Sequence, residues 1–200
     1  MPDGASHPFL FRNGTNGSFK DESKAWGTGE MKGYFNGSAY ADLNNDGRLD
    51  LVMNCIGSPA VILKNNAPGK NYLSLSFSGE GMNRFGVGAK AYLWAHSNHS
   101  DSSVMQYQEL MLTRGFQSSS DTRLHFGLDS LMPDSLLIIW PDQKYQLIKN
   151  VPLNKSWTVY QKDAAGIFNY NTLSPAKTVA PENITNKVKC DWKHREDDYT

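Results

Sequence analysis

Oxygen-bearing side chains occupy alternate positions in one short stretch of the chain. They are Asp42, Asn44, Asp46 and Asp50. Carboxylate, amide and carbonyl oxygens are the ligands that a hard cation such as Ca²⁺ takes in proteins, and Gly47 permits the positive φ that a tight loop requires. The spacing predicts a calcium loop in which these four side chains and the backbone carbonyl of Arg48 supply the ligands.

The residues that follow the loop exclude an EF-hand. An EF-hand needs a bidentate Glu at its twelfth position, and counting from Asp42 that place is taken by Met53. From Leu49 to Cys55 the apolar residues at positions 49, 51, 53 and 55 alternate with Asp50, Val52 and Asn54, which is the period of a β-strand with one buried face. The loop is therefore expected to lead into a strand. The alternative is an Asn-Asp-Gly turn whose carboxylates are solvated.

Two other clusters have residue types suited to chemistry. His96, His99 and Asp101 could bind zinc or act as a base, but their Ser- and Asn-rich surroundings favour a solvated loop. Arg123 and His125 flank one strand residue, so both should face the same surface and could share a carboxylate or an anion. We interpret this pair as a structural hydrogen-bond network, and we predict no catalytic residue.

Composition narrows the classes of partner. The 200 residues contain 20 acidic and 20 basic side chains, and no basic cluster interleaves with aromatics, which disfavours nucleic acid. No apolar run is long enough to span a membrane, and the first residues lack the features of a signal peptide. Cys55 and Cys190 lie in different settings, so a disulfide between them is not expected.

The tryptophans admit two interpretations. The five residues are Trp26, Trp94, Trp140, Trp157 and Trp192. Most fall at predicted strand positions, which favours a place in the core, and the alternative is a platform on which sugar rings stack.

Turn residues interrupt the sequence every eight to twelve positions or so, and short β-branched, leucine and aromatic runs lie between them. This pattern predicts an all-β fold. The predicted strands cover residues 9–11, 37–41, 49–55, 61–63, 72–77, 89–94, 104–112, 122–126, 135–140, 145–150 and 157–160.

Turn-rich stretches at residues 65–70 and 163–166 divide the chain. The sequence predicts a calcium-loop repeat at residues 1–69, a β-sandwich at 70–163 and an extended tail at 164–200. The first segment is small for a core of its own. Residues 9–14 and 61–66 share an apolar triplet followed by a basic residue and Asn. This weak internal repeat, with a calcium loop between its two copies, suggests propeller blades.

Longer motifs carry a resemblance to known families. Residues 9–66 resemble an FG-GAP or VCBS-type propeller repeat, and residues 71–161 resemble the ASPIC/UnbV domain. The second resemblance depends on residues 83–90, 114–119, 124–128 and 140–142. The family usually continues Trp-Pro-Asp with Gly, where this chain has Gln143. Residues 192–199 resemble the start of a further segment of long bacterial surface proteins, which implies that the chain is part of a longer protein.

The resemblance implies a secreted, cell-surface or periplasmic protein. Together with the loop, it leads us to expect a non-catalytic module that Ca²⁺ stabilises and that binds a protein or a glycan. The alternatives are an accessory fragment of a larger glycan-active hydrolase and a lectin that holds sugar hydroxyls through the ion itself. An acidic pair across an open cleft would favour the hydrolase, and an exposed Trp beside the loop would favour the lectin.

Overall fold

The computed structural model describes residues 4–14, 16–97 and 100–173. One compact unit of the chain ends at Phe168, and residues 169–173 belong to a second unit, in which Tyr170–Thr172 form a 3₁₀ turn. The described residues contain strands and two such turns but no α-helix, so the predicted all-β class is confirmed. The predicted tail beyond residue 173 lies outside the described residues.

The N-terminal repeat forms two small antiparallel sheets. Strands β1 (Phe11–Asn13) and β2 (Phe19–Asp21) pair with each other. Strands β3 (Phe35–Ala41), β4 (Asp50–Cys55) and β5 (Val61–Leu63) form a three-stranded sheet with β4 in the centre. The predicted calcium loop is the connection between β3 and β4, so it leads directly into the central strand.

The remaining strands of the first unit form two sheets. They are β6 (Asn71–Ser78), β7 (Lys90–Ser97), β8 (Ser100–Glu109), β9 (Arg123–Asp129), β10 (Leu131–Ile139), β11 (Lys144–Lys149), β12 (Lys155–Tyr160) and β13 (Ala165–Ile167). One sheet has the order β13-β11-β10-β7-β8 and the other has the order β12-β6-β9. All pairs are antiparallel except β6 and β12, which run parallel.

The hydrophobic core lies between these two sheets. Alternate residues of β6 and β7, including Leu73, Leu75 and Leu93, are fully buried and pack against β9, β10 and β12. Trp140 is also buried and meets Phe77 edge to face, with ring centroids 5.6 Å apart. The alternation that predicted strands therefore also identified the buried face.

Two strands were not predicted from the sequence, and one was misplaced. Strand β2 is three residues long and exposed along its length, so it has no apolar alternation. Strand β13 falls in a stretch that we interpreted as a turn, and it adds to the edge of the five-stranded sheet through β11. The first strand begins at Phe11, because residues 9 and 10 precede the pairing with β2.

The turn at Gln143 keeps its tight geometry without glycine. Gln143 has a φ of 67°, which places it in the left-handed region, and its N–H donates to the carbonyl oxygen of Trp140 at 2.9 Å. The N–H of Trp140 donates to the carbonyl oxygen of Lys144 at 2.9 Å, which closes the β10–β11 hairpin. The hairpin therefore forms at the cost of backbone strain at one residue.

Candidate functional site at the β3–β4 loop

The β3–β4 loop wraps tightly around its own carboxylates. Asn45 and Gly47 have positive φ values of 57° and 82°, which turn the backbone inward. Asp42 and Asp50, at the two ends of the loop, are buried with 7% and 3% of their surface exposed. Buried carboxylates need hydrogen-bond donors or a cation close by.

Backbone N–H groups supply those donors to Asp42. Its Oδ1 accepts from the N–H of Asp46 at 3.0 Å, and its Oδ2 accepts from the N–H of Gly47 at 2.8 Å. The Asp42 carboxylate therefore fixes the middle of the loop.

Asp50 fixes the loop at its other end. Its Oδ2 accepts from the N–H of Leu43 at 3.3 Å, and its Oδ1 accepts from the N–H of Asn65 at 2.8 Å. The side chain of Asn65 in turn donates to the carbonyl oxygen of Leu49 at 3.3 Å. Asn65, just beyond β5, is thus a partner of the loop that we did not single out in the sequence.

Asp46 faces the partly exposed side of the loop. Its Oδ1 accepts from the N–H of Arg48 at 3.0 Å, and its Oδ2 accepts from the side-chain amide of Asn44 at 2.8 Å and forms an ion pair with the Arg48 guanidinium. Desolvation acts to raise the pKa of Asp46, but the hydrogen bonds from Asn44 and Arg48 and the charge of Arg48 outweigh it and lower the pKa below its ordinary value. Asp46 therefore favours its charged form.

The donor set fits Ca²⁺ in chemical type. The loop offers three carboxylates and an amide, and each carboxylate oxygen has two lone-pair sites, so a backbone hydrogen bond does not consume its capacity. Within the described ranges, no three His, Cys, Asp or Glu side chains converge as they would around an ion. The Asp46 carboxylate is turned to Arg48 and would have to rotate to join Asp42 and Asp50. The five predicted ligands remain a prediction.

The loop packs against the sandwich through Gly47. A Cβ added to Gly47 would overlap the ring of Tyr72 on β6, lying 2.8 Å even from Cζ. The Tyr72 ring stacks on His125 of β9 with an interplanar angle of 8°. Gly47 therefore serves two needs, the positive φ of the loop and the close approach of an aromatic ring.

Arg123 of β9 joins the loop backbone to the sandwich. Its Nη2 donates to the carbonyl oxygen of Asp42 at 3.3 Å, and its Nη1 donates to Oδ1 of Asn45 at 3.4 Å. Its Nε forms an ion pair with Asp121 at 2.5 Å. The structure thus places Arg123 in a structural network around the loop.

His125 shares that surface. Burial of the ring lowers the pKa of His125 and has the largest effect. The Asp42 carboxylate acts to raise this pKa, the charge of Arg123 lowers it further, and a hydrogen bond with the Gly47 backbone raises it slightly. The Nδ1 atom is buried and has no hydrogen-bond partner among the described residues. The lowered pKa favours the neutral form of the His125 ring, which stacks on Tyr72 beside the loop. As the sequence predicted, Arg123 and His125 face one surface.

The other predicted cluster is only partly described. His96 Nδ1 lies 2.6 Å from Oδ1 of Asp134 on the neighbouring strand β10. His99 and the side chain of Asp101 lie outside the described residues. Cys55 is buried and forms no disulfide within the described part of the chain, and Cys190 lies outside that part. None of the helical turns among the described residues has the length and apolar character required to cross a bilayer.

Comparison with known families reveals two matches. The model of the FG-GAP-like repeat matches residues 3–53, which include β1 to most of β4 and the whole loop. The model named ASPIC and UnbV matches residues 79–166 of the sandwich. No curated protein matches the chain. The two matches confirm the order of repeat and domain that the sequence motifs predicted.

Proposed function

Because an FG-GAP-like repeat precedes an ASPIC and UnbV domain in this chain, we propose that it is a non-catalytic binding or structural module, stabilised by Ca²⁺, that acts outside the cell or at its surface. In this proposal it contacts a protein or a glycan and forms part of a longer multidomain protein. One observation carries the proposal: the loop with the calcium-type ligands is also one of the places at which the repeat contacts the sandwich, through Tyr72 and Arg123.

The ligand residues would be Asp42, Asn44, Asp46 and Asp50 with the backbone of Arg48. A bound Ca²⁺ ion would supply positive charge to three neighbouring carboxylates. The loop carboxylates also position neighbouring segments by hydrogen bonds. Asp50 accepts from the N–H of Asn65 and so holds the segment after β5, and Asp42 accepts from the N–H of Gly47, which lies against the Tyr72 ring. A loop held more rigidly would keep the repeat and the sandwich in one arrangement. A binding surface formed by residues of both parts requires such a fixed arrangement.

Thermal unfolding in Ca²⁺ and in chelator tests this proposal. Loops in extracellular modules bind Ca²⁺ at roughly 10⁻⁴ to 10⁻³ M. At about 100 times the Kd, an ion that binds the native state adds about 2.7 kcal/mol to the free energy of unfolding. For a chain of this size that corresponds to a rise in Tm of roughly 5–10 °C.

The matched variant is Asp46→Ala. It should remove the dependence of the Tm on Ca²⁺ while the chain still folds in chelator, because Asp42 and Asp50 make the buried hydrogen bonds. Mg²⁺ at the same concentration is the control for ionic strength. A wild-type Tm that is the same in Ca²⁺ and in chelator would contradict the proposal.

A hydrolase is the second candidate, and one groove favours it. Glu109 and Asp121 both line a groove of about 440 Å³ between the repeat and the sandwich. Both carboxylates already have partners, since Glu109 accepts from the Tyr107 hydroxyl and Asp121 forms its ion pair with Arg123. Release of reducing sugar from cell-surface glycans by the wild type, lost in Glu109→Gln, would support the hydrolase over the binding module.

A further inference from the structure

A cavity of about 730 Å³ lies between the N-terminal turn of the repeat and the three-stranded sheet. Sites for small ligands have volumes of about 300–1,000 Å³, an apolar lining and a few polar groups at the rim. Its floor consists of half-buried leucines, among them the register partners Leu51 and Leu63 of β4 and β5. Its rim carries Trp26, Lys64 and Asn66.

Trp26 is held in place by buried hydrogen bonds although its own ring is exposed. Ser23 and Thr28, on either side of it, are 2% and 0% exposed. The Ser23 hydroxyl accepts from the N–H of Leu10 at 2.8 Å, and the Thr28 hydroxyl donates to the carbonyl oxygen of Pro8 at 2.9 Å. These bonds fix the turn, whereas Trp26 remains 52% exposed. The turn thus presents a rigid aromatic face at the cavity.

The charge of the cavity is positive. Among the described residues that line it, Lys64 is the one that carries a charge, and Asn66 is exposed beside it. An ammonium group donates to a carboxylate in a charge-assisted hydrogen bond, and an amide bonds to hydroxyl groups. A purely apolar ligand would leave both groups without a match.

From this arrangement we propose that the cavity binds a saccharide bearing a carboxylate, with a sugar ring stacked on Trp26 and the carboxylate facing Lys64. A sugar ring has an apolar C–H face and a hydroxylated edge, and it therefore suits an aromatic wall next to polar donors. The inference deepens the proposed function by naming its ligand class.

The cavity is attached to the β3–β4 loop. Leu49 of the loop lines it, and the N–H of Asn65, another lining residue, donates to the Asp50 carboxylate at 2.8 Å. A change in the loop that moves Asp50 therefore moves the wall of the cavity. The affinity for the saccharide should be lower in chelator. Some binding should remain, because Trp26 and its turn do not involve the loop.

Calorimetric titration of the full chain tests the inference. The probes are a tetramer of galacturonic acid and a neutral tetramer of glucose. The Kd for the acidic probe should be lower than the Kd for the neutral probe by about tenfold or more. This is the ratio expected for one charge-assisted hydrogen bond. Trp26→Ala should lower the affinity for both probes by about tenfold or more, because the variant lacks the aromatic face on which a ring stacks.

Two further variants separate the contributions. Lys64→Gln should remove the preference for the acidic probe and keep the binding of the neutral one. Phe116→Ala removes another exposed aromatic ring, 82% exposed on the sandwich side, and should leave both affinities unchanged. An unchanged Tm in Trp26→Ala shows that the variant is folded.

Three results would overturn the inference: no heat of binding for either probe, equal affinities of Trp26→Ala and the wild type, or a wild-type dimer that Trp26→Ala converts to a monomer. The last result would assign the cavity to contact with a second copy of the chain. Measuring the Tm in Ca²⁺ and in chelator on the same samples separates the two proposals. A Ca²⁺-dependent Tm without saccharide binding overturns this inference and leaves the proposed function intact.

Discussion

Replacement of Gly47 by alanine tests whether the packing of the loop against the sandwich contributes to the stability of the chain. The added methyl group would lie against the Tyr72 ring, and the residue would keep a φ of 82°. Left-handed backbone costs a non-glycine residue about 1–2 kcal/mol, and overpacking costs about 1–3 kcal/mol. The lower chain entropy of the unfolded alanine variant returns about 0.4–1 kcal/mol.

The net loss expected for Gly47→Ala is therefore about 1–5 kcal/mol in the free energy of unfolding. For a chain of this size, the Tm should fall by roughly 2–20 °C. Denaturant unfolding, followed by near-ultraviolet circular dichroism in chelator, measures the loss without any contribution from a bound ion. The assay thus reports the sum of the backbone strain at residue 47 and its overlap with the Tyr72 ring.

Gly57→Ala is the matched control. Gly57 has a similar φ of 74°, and a Cβ added there would meet no atom within 4 Å. This variant should lose only about 1 kcal/mol, from backbone strain less the entropy gain. In the double variant Gly47→Ala/Tyr72→Ala the overlap is absent, so the total loss should be smaller than the sum of the single losses. Equal losses for Gly47→Ala and Gly57→Ala, or additive losses in the double variant, would refute the reasoning.

Two further substitutions have expected outcomes. Gln143→Gly relieves the positive φ of the β10–β11 turn and should raise the free energy of unfolding by about 0.5–1 kcal/mol in urea, and a loss would show that the Gln143 side chain stabilises the turn. Arg123→Gln removes donors to Asp42 and Asn45 and should lower stability by about 1 kcal/mol while raising the Ca²⁺ concentration at half-maximal stabilisation. If the Ca²⁺ concentration at half-maximal stabilisation did not change in this variant, Arg123 would have no effect on Ca²⁺ binding by the loop.

Most strands could be predicted because their apolar alternation reports burial directly. Strands β6 and β7 place apolar residues at alternate positions in the core, so period and burial coincide there. Strand β10 instead buries the consecutive residues 136–139, a short apolar run that also predicts a strand. Strands β2 and β13 could not be predicted, since both are short and fully exposed and depend on a neighbouring strand for their pairing. The left-handed conformation of Gln143 followed only from the glycine usual in the resembling family, because a glutamine by itself does not favour a positive φ.

The candidate loop was visible in the sequence because its ligands lie close together along the chain. Its contacts with Tyr72 and Arg123 were not, since they join residues that only the tertiary fold brings together. The role of Trp26 was likewise open, because its exposure depends on a turn that the buried Ser23 and Thr28 hold in place. Spacing therefore predicted where the candidate loop lies, and the fold determined which residues surround it.

The parallel pairing of β6 with β12 sets an order of events during synthesis. Leu73 pairs with Lys155 and Ser78 with Tyr160, so the central strand of the smaller sheet lacks one neighbour until residue 160 has left the ribosome. Contacts so far apart in sequence form slowly. A nascent chain that stops before β12 would expose one edge of β6, which makes the addition of β12 the step that completes the smaller sheet.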